Sequence, residues 1–542
     1  MFAYLPRLFG QEDKPRGTDW IMKQGFRQSM ASLHTWVGLM PGWVLYIVFL
    51  FGTVAFFQYE IDAWMRPELP AGNTVSHRAL DAADRVLAQR GRGAESWNVS
   101  LPSPRGGTGL VVSWQMPGQE RGERSEVTLD PRTGHELAVR DTAGGFFLYR
   151  FHFDLHYMPV MWARYLVSVA ALAMLVAILS GVVTHKKIFS DFFQMRFGKG
   201  QRSWLDAHNA TGVLALPFHV MITYTGLVTL LFTLMPWAIT ANYPSRDAFY
   251  EIAFPRLEER EASGQAAAMV PLTRLVAGAQ ARWQGGWPSY ITIAHPGDAA
   301  ATAMLYAART DWGSGRRKPV QLDAASGGVV SPLPARDGGA RKTQEVMIDL
   351  HTAWFAGYGL RWLYFLSGVG GTAMVATGLA LWCVKRRSKL PDPARPHFGF
   401  RLVERLNIGF IAGAPAGIAV YFLANRLLPG GLAERSEWEV DCLFIAWGAI
   451  FAWSLARPAK RAWVESLGAA AALFAMVPLV NAATTTRGLV PSPWRGDWVY
   501  TGFDLTCLAA AAGLGWTARK VLHHKPRAKP ARRKRVAVEA TA

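Results

Sequence analysis

Cysteine is scarce in this sequence, and the motifs that would give it a chemical role are missing. The 542 residues include three cysteines, Cys383, Cys442 and Cys507, which all lie in or beside apolar runs. They form no Cys-x-x-Cys pair, and no Cys-x-x-Cys-His motif is present for a covalently attached cofactor. That motif attaches haem covalently, so a haem, if the chain binds one, is expected to be held without covalent bonds.

Nucleotide-binding motifs are missing as well. No Gly-x-Gly-x-x-Gly string follows a predicted strand, and neither a Walker A sequence nor a flavin-like domain is recognisable. The chain is therefore not expected to bind NAD(P)H or FAD itself. If it transfers electrons, they are expected to come from a quinol pool or from a soluble cytoplasmic reductase.

The composition fits a chain that lies partly in a membrane. The hydrophobic content is 51% and the mean hydropathy is +0.10. The hydrophobic content is too high for an ordinary soluble protein, and the mean hydropathy is too low for a protein that lies wholly in the membrane. The net charge of +19 comes largely from Lys and Arg beside apolar runs. This pattern predicts contact with the lipid bilayer and no binding of nucleic acid.

Hydropathy and charge together predict a polytopic α-helical membrane protein with eight spans. The four core spans are expected at 34–59, 160–184, 211–236 and 351–384. Four further helices are expected in a C-terminal extension at 406–518. The basic segments expected in the cytoplasm are a lead-in at 1–33, links at 185–210 and 385–405, and a tail at 519–542. Segments 60–159 and 237–350 then lie outside, in the periplasm of a bacterial inner-membrane protein.

The two outer segments resemble each other. Each is predicted to contain a helix, three short strands and a turn of the form Leu-Asp-x-x-x-Gly, in that order. The string Asp-Leu-His precedes both the second and the fourth span, and it ends at His156 and His351. The sequence therefore predicts a duplicated unit of span, outer domain and span, in which His156 and His351 are equivalent.

The first and third spans also share a spacing. Each contains a histidine, a glycine four positions later and a second glycine fourteen positions after the first. The two triplets are His34–Gly38–Gly52 and His208–Gly212–Gly226. A glycine one turn after a histidine leaves the helix surface bare, as the edge of a porphyrin requires. Close helix–helix packing is the alternative reason for Gly38 and Gly212.

Histidines are concentrated at the ends of the predicted spans and inside them. Ligand-capable side chains within a span are costly, and they are therefore functional candidates. His208 and His219 are expected on one face of a single helix, about 16 Å apart along its axis. Seven of the 13 histidines fall in this group: His34, His152, His156, His185, His208, His219 and His351.

Two neutral imidazoles from different helices give a six-coordinate, low-spin haem that transfers electrons. Because the candidates cluster at both membrane faces, two or more haem b groups are expected, forming a path across the membrane. A divalent metal ion is one alternative, although zinc prefers one compact site with carboxylates or thiolates. Structural histidines bonded to a neighbouring Ser, Thr or carbonyl are the other alternative.

Several strings carry a resemblance to a known family. They are SLHTWVGL, SGVVTHKKIFSDFF, LPFHVMITYTGL and GLRWLYFLSGVGGTAMVATGLALW. Over about 30–390 the chain resembles the PepSY-associated transmembrane-helix family of iron-regulated inner-membrane proteins. The resemblance implies a four-helix core with two periplasmic PepSY-like domains, and some members are haem-containing reductases of ferric siderophores. The positions that match the family's membrane histidines are His34, His156, His185, His208, His219 and His351.

The expected function is that of a b-type haem oxidoreductase, an enzyme that passes electrons outward to a ferric siderophore or another periplasmic ferric chelate. An alternative from a different class is a non-enzymatic membrane protein. Its outer domains would bind peptides or regulate a partner protease or transporter. A reduced-minus-oxidised visible spectrum distinguishes the two.

Overall fold

The computed structural model describes most of the chain. The described residues are 25–72, 74–103, 105, 107–120, 123–185, 196, 201–253, 260–308, 317–331 and 338–524. Parts of three of the four predicted basic segments lie outside the described residues. They are 1–24 of the lead-in, 186–195 and 197–200 of the first basic link, and 525–542 of the tail.

The described residues are mostly helical, with one group of strands. The helices are α1 (Phe26–Leu39), α2 (Gly42–Ala55), α3 (Gln58–Met65), α4 (His77–Arg90), α5 (Gly144–Asp154), α6 (Val160–Thr184), α7 (Gln201–Leu214), α8 (Leu216–Thr229), α9 (Leu231–Leu234), α10 (Pro236–Thr240), α11 (Arg246–Ala253), α12 (Leu272–Arg282), α13 (Gly339–Thr352), α14 (Tyr358–Arg387), α15 (Phe398–Ile411), α16 (Gly413–Leu427), α17 (Arg435–Ala456), α18 (Ala459–Thr484), α19 (Pro491–Trp494) and α20 (Trp498–His523). The strands are β1 (Ser96–Ser100), β2 (Leu110–Gln115), β3 (Ser125–Leu129), β4 (Pro288–Ala294), β5 (Thr302–Ala307), β6 (Val320–Asp323) and β7 (Val329–Ser331).

The protein is a multi-pass membrane protein. In the described part of the chain, five helical segments are long and apolar enough to cross a membrane: α6, α14, α15 with α16, α17 and α18. Two bent pairs, α1 with α2 and α7 with α8, bring the number to seven if each pair is one span. The eighth predicted span coincides with α20, which is helical but is not among these apolar segments.

The first and third predicted spans are broken helices. The axes of α1 and α2 differ by 63°, and those of α7 and α8 by 67°. Pro41 caps the start of α2, and Pro217 lies in the first turn of α8. Proline lacks the amide hydrogen that would continue a helix through these points. The predictions of continuous spans at 34–59 and 211–236 are corrected accordingly.

The fourth predicted span, at 351–384, also begins differently. Helix α13 ends at Thr352, and Ala353 has a left-handed backbone with φ of 52°. A short loop follows, and the apolar helix α14 begins at Tyr358. His351 therefore lies on the helix that precedes the span.

The strands of the two outer segments form one antiparallel sheet of seven strands. Its order is β3-β2-β1-β4-β5-β6-β7, and β1 pairs with β4 across the two segments, with Val99 opposite Ile291. Helices α4 and α12 contact each other and share a hydrophobic core with the sheet. The two outer segments, each expected to be a small α+β domain, are therefore joined through one sheet. In each segment alone, β1 or β4 would be an unpaired edge strand. Pairing β1 with β4 covers both of these inner edges.

The helices form a bundle below this sheet. Helix α1 packs on α6 and α7 packs on α14, while α2 contacts α5 and α14, and α8 contacts α13 and α6. We call the end of the bundle next to the sheet the sheet end. The opposite end, where α6 and α14 run into the basic links, is the far end.

The C-terminal extension is attached to the bundle by buried polar side chains. Glu439 and Arg435 on α17 are 0% and 1% exposed and form an ion pair. Glu439 also accepts hydrogen bonds from Thr142, in the segment before α5, and from Asn425 on α16. The extension and the bundle therefore share one core.

Candidate functional site

One pair of histidines lies at the far end of the bundle. His34 on α1 and His208 on α7 have ring centroids 6.1 Å apart, with an angle of 67° between the ring planes. Nδ1 of His34 lies 2.8 Å from the carbonyl oxygen of Ala177 on α6. Nδ1 of His208 lies 2.9 Å from the carbonyl oxygen of Met374 on α14. Each histidine is thus oriented by a helix other than its own.

A second pair lies at the sheet end. His152 on α5 and His351 on α13 also have ring centroids 6.1 Å apart, with 32° between the planes. Nδ1 of His152 lies 2.6 Å from the carbonyl oxygen of Val48 on α2. Nδ1 of His351 lies 3.1 Å from the carbonyl oxygen of Ile222 on α8 and 3.2 Å from the hydroxyl of Thr225.

The backbone contacts fix the tautomer of all four rings. A carbonyl oxygen only accepts hydrogen bonds, so each Nδ1 must carry the hydrogen. In a neutral imidazole the other nitrogen, Nε2, then keeps its lone pair and is the atom available to a metal. A hydrogen bond from the second ring nitrogen to a carbonyl is the usual support of a metal-binding histidine.

A glycine lies against each of the four rings. It follows the carbonyl residue by four positions in every case, one helical turn along the same helix. Added Cβ atoms would lie within 2.4–3.1 Å of the imidazole Cε1 at these positions: Gly52 beside His152, Gly226 beside His351, Gly181 beside His34 and Gly378 beside His208. Real Cβ atoms essentially never come closer than 3.0 Å, so a side chain at Gly52 or Gly226 would displace the ring.

His219 lies between the two pairs and belongs to neither. It is on α8, fully buried, with the ring of Phe49 edge-on at 5.9 Å. The ring lies close to backbone groups of Ser367 and Gly212, although neither ring nitrogen reaches hydrogen-bond geometry with a described residue. The break between α7 and α8 separates it from His208, so the prediction that the two histidines share one helix is wrong.

His156 is outside the sheet-end pair. Helix α5 ends at Asp154, and Leu155 and Tyr157 have positive φ values of 42° and 61°. The ring of His156 packs instead on Phe444 of α17, at 5.8 Å. His152, which the sequence offers as a secondary candidate, contacts His351. The expected equivalence of His156 and His351 is therefore corrected.

The remaining predicted residues surround the far-end pair without joining it. His185 directly follows the last residue of α6 and lies near His34 and His208. A Cβ added at Gly38 would meet no heavy atom within 4 Å, and one at Gly212 would lie 3.3 Å from Sδ of Met374. Neither glycine is the one that touches a histidine ring.

Sequence reasoning missed several partners of these rings. Gly181, Gly378 and Thr225 were not among the expected residues, although Ser-Gly and Thr-Gly dipeptides recur in the spans. Among the described residues, no group of three or more His, Cys, Asp or Glu side chains is arranged to hold a metal ion. Two histidines alone supply half of a zinc tetrahedron. The pairs suit a cofactor that brings its own equatorial ligands.

Together these features define a multi-pass membrane protein whose bundle holds two pairs of buried, carbonyl-oriented histidines. The family model for the PepSY-associated TM region matches residues 31–385, and the chain belongs to this family. The matched region contains both histidine pairs and ends with α14, so the C-terminal extension lies beyond it.

A curated relative is similar to much of the chain. It is the "Uncharacterized protein PA4219" of Pseudomonas aeruginosa, which is 27% identical over 361 residues. The alignment covers 64% of this chain and 88% of the relative.

Proposed function

We propose that the protein is a b-type haem oxidoreductase of the inner membrane, in which His34 and His208 would hold one haem and His152 and His351 would hold another. The observation that carries this proposal is the 6.1 Å separation of ring centroids in both pairs. Two metal–nitrogen bonds of about 2 Å, plus about 1 Å from each nitrogen to its ring centre, span roughly 6 Å.

The donor set fits this cofactor. When bound, haem supplies reversible one-electron transfer at an iron whose potential the axial ligands adjust. The four histidines present Nε2, while backbone carbonyls hold Nδ1 and with it the ring orientation. The glycine beside each ring admits the imidazole close to a neighbouring helix. Such preorganisation limits reorientation of the ligands when the charge of the iron changes.

The arrangement of the two pairs supports a transmembrane path. One pair is at the far end and the other at the sheet end, on helices that the basic links orient with the sheet outside. We propose that the two halves of the matched region are a duplicated unit around a four-helix bundle. In this scheme the outer segments are PepSY-like domains, joined in one periplasmic sheet.

The donor and the acceptor follow from what the chain carries. Because the sequence has no nucleotide-binding motif, the proposed donor is a quinol or a soluble cytoplasmic reductase at the far end. The proposed acceptor is a ferric siderophore or another ferric chelate at the sheet end. A one-electron reduction of the chelated iron to the ferrous form weakens its hold on hard oxygen ligands and releases the metal.

The test is a reduced-minus-oxidised visible spectrum of the purified full-length protein, followed by mixing of the reduced form with a ferric chelate. We expect sharp low-spin b-type bands and their loss as ferrous iron appears, detected with a ferrous-specific dye. Protein with no haem after expression with ample haem supply would contradict the proposal. If ferric chelates leave the spectrum of the reduced protein unchanged, the proposal of haem binding stands and that of ferric reductase activity is rejected.

A further inference from the structure

A second cluster of charged side chains lies where the sheet meets the bundle. Arg361, in the first turn of α14, is 2% exposed, and its Nη1 lies 2.7 Å from Oε1 of Glu60 on α3. Its guanidinium also lies over the ring of Tyr358, at 4.5 Å. Arg361 is therefore a buried cation at the start of a long helix, where the helix dipole adds further positive potential.

The second cation comes from the sheet. Arg105, between β1 and β2, donates from Nη1 to the carbonyl oxygens of Ala353, Trp354 and Ala356, at 2.8, 3.1 and 3.3 Å. These carbonyls belong to the loop that follows His351 directly. Arg105 thus connects the sheet to the loop beside the sheet-end histidine pair.

The cluster has an excess of positive charge. Burial, and next the charge of Arg361, lower the pKa of Arg105 to about 10, which still leaves it protonated at neutral pH. Glu60 is the acid that pairs with Arg361, and it also acts on Arg105. Two guanidinium groups against one carboxylate leave about one uncompensated positive charge, and this is costly in a buried setting.

The hydrogen bonds of the cluster are incomplete as well. Nε of Arg105 and Nε of Arg361 are buried and have no partner among the described residues. Oε2 of Glu60 is also buried and has no hydrogen-bond partner among the described residues. Buried polar groups of this kind are normally satisfied, so two free donors and one free acceptor together point to a missing group. A carboxylate matches the two donors and the charge.

We propose that Arg105, Arg361 and Glu60 form a binding site for a carboxylate group at the junction of sheet and bundle. Two sources have this chemistry, a propionate of the haem proposed above and a hydroxycarboxylate arm of a ferric chelate. The hydroxyl of a hydroxycarboxylate would also donate to Oε2 of Glu60, whereas a propionate has no such donor. Both sources rest on the proposed function, the propionate on its haem and the hydroxycarboxylate on its ferric-chelate acceptor.

The first arm of the test measures binding of citrate to the full-length protein in detergent by calorimetry. Tricarballylate, which is citrate without its hydroxyl, is the matched probe. If the site takes a hydroxycarboxylate, citrate binds more tightly than tricarballylate, Arg105→Gln weakens citrate binding at least tenfold, and Arg105→Lys largely restores it. Arg90→Gln, which breaks an exposed ion pair with Glu136 on the sheet domain, serves as the control and leaves binding unchanged.

The second arm compares the binding of iron protoporphyrin with that of its dimethyl ester, in which both propionates are blocked. If the site takes a propionate, the wild-type protein prefers the free acid, and Arg105→Gln removes that preference without affecting the ester. The paired variant Arg361→Gln with Glu60→Gln removes the buried ion pair without stranding a charge, and we expect the same loss.

The outcomes separate this inference from the proposed function. Citrate binding that depends on Arg105 in a protein without haem would support the site and reject the haem proposal. Absence of citrate binding at millimolar concentration by the wild-type protein, together with equal affinities for protoporphyrin and its ester, would overturn the site. Both of these decisive measurements use the wild-type protein, so a variant that fails to fold does not affect them.

Discussion

The rings of His152 and His351 face each other at 6.1 Å, although one belongs to the helix before the second span and the other to the helix before the fourth. The rings of His34 and His208 repeat this separation at the other end of the bundle. In all four cases a backbone carbonyl of another helix holds Nδ1. The repeated geometry is the basis of the predictions that follow.

The first prediction distinguishes two histidines one helical turn apart in sequence. If His152 is a haem ligand as proposed, His152→Ala loses the sheet-end haem and slows ferric reduction more than about tenfold, because the change removes a ligand and not merely a supporting group. His156→Ala is the matched control and is expected to keep both low-spin signals. Electron paramagnetic resonance of the oxidised proteins makes the comparison. Loss of a low-spin signal in His156→Ala but not in His152→Ala would instead favour His156 as the ligand, as the Asp-Leu-His repeat predicts.

The sequence could not decide between these two histidines because the answer depends on where a helix ends. In an uninterrupted helix, His152 and His156 would point in similar directions. Leu155 has a φ of 42°, and the chain leaves the helix before His156 is reached. Helix α5 contacts α2, which is remote in sequence, and the local sequence does not signal this packing.

Other features were within reach of sequence reasoning because they depend on local pattern. The apolar run at 160–184 coincides with α6, and the three strands predicted in each outer segment correspond to β1 to β3 and β4 to β6. The pairing of β1 with β4 joins segments that are distant in the chain, and neither segment signals it. Likewise, the carbonyl that orients each histidine belongs to a helix remote in sequence.

The second prediction concerns the glycines against the rings. Gly52→Ala places a Cβ 2.4 Å from Cε1 of His152, so the ring must move and binding of the sheet-end haem is expected to weaken. Gly181→Ala, at 3.1 Å from His34, is expected to have a smaller effect at the far end. Gly448→Ala is the control, since its Cβ meets no heavy atom within 4 Å. Haem titration of each variant gives the order, and equal affinities in all three would contradict it.

The third prediction concerns the junction between the bundle and the extension. Glu439→Ala leaves Arg435 buried without its carboxylate, and we expect a loss of about 3–5 kcal/mol in the free energy of unfolding. Glu465→Ala removes a comparable partner from the half-exposed pair with Arg457 and is expected to change stability much less. Thermal unfolding in detergent compares them. A Glu439→Ala protein as stable as the control would show that the network does not hold the extension.

The fourth prediction concerns orientation. Gly118, between β2 and β3, and Gly327, between β6 and β7, lie in turns of the sheet with positive φ. Because the basic links favour the cytoplasm, alkaline phosphatase fused at either turn is expected to be active, and a cytoplasmic reporter at the same turns inactive. Cytoplasmic activity at either position would place the sheet on the other side and reverse the proposed direction of electron flow.

The most direct test of the central claim is the haem content of four purified proteins, measured as the pyridine haemochrome. The claim of two independent bis-histidine sites predicts about two haems per chain in the wild type, extractable with acid acetone. It predicts about one in His34→Ala with His208→Ala, about one in His152→Ala with His351→Ala, and none in the quadruple variant. Two haems retained in either double variant, or none in the wild type, would contradict the account.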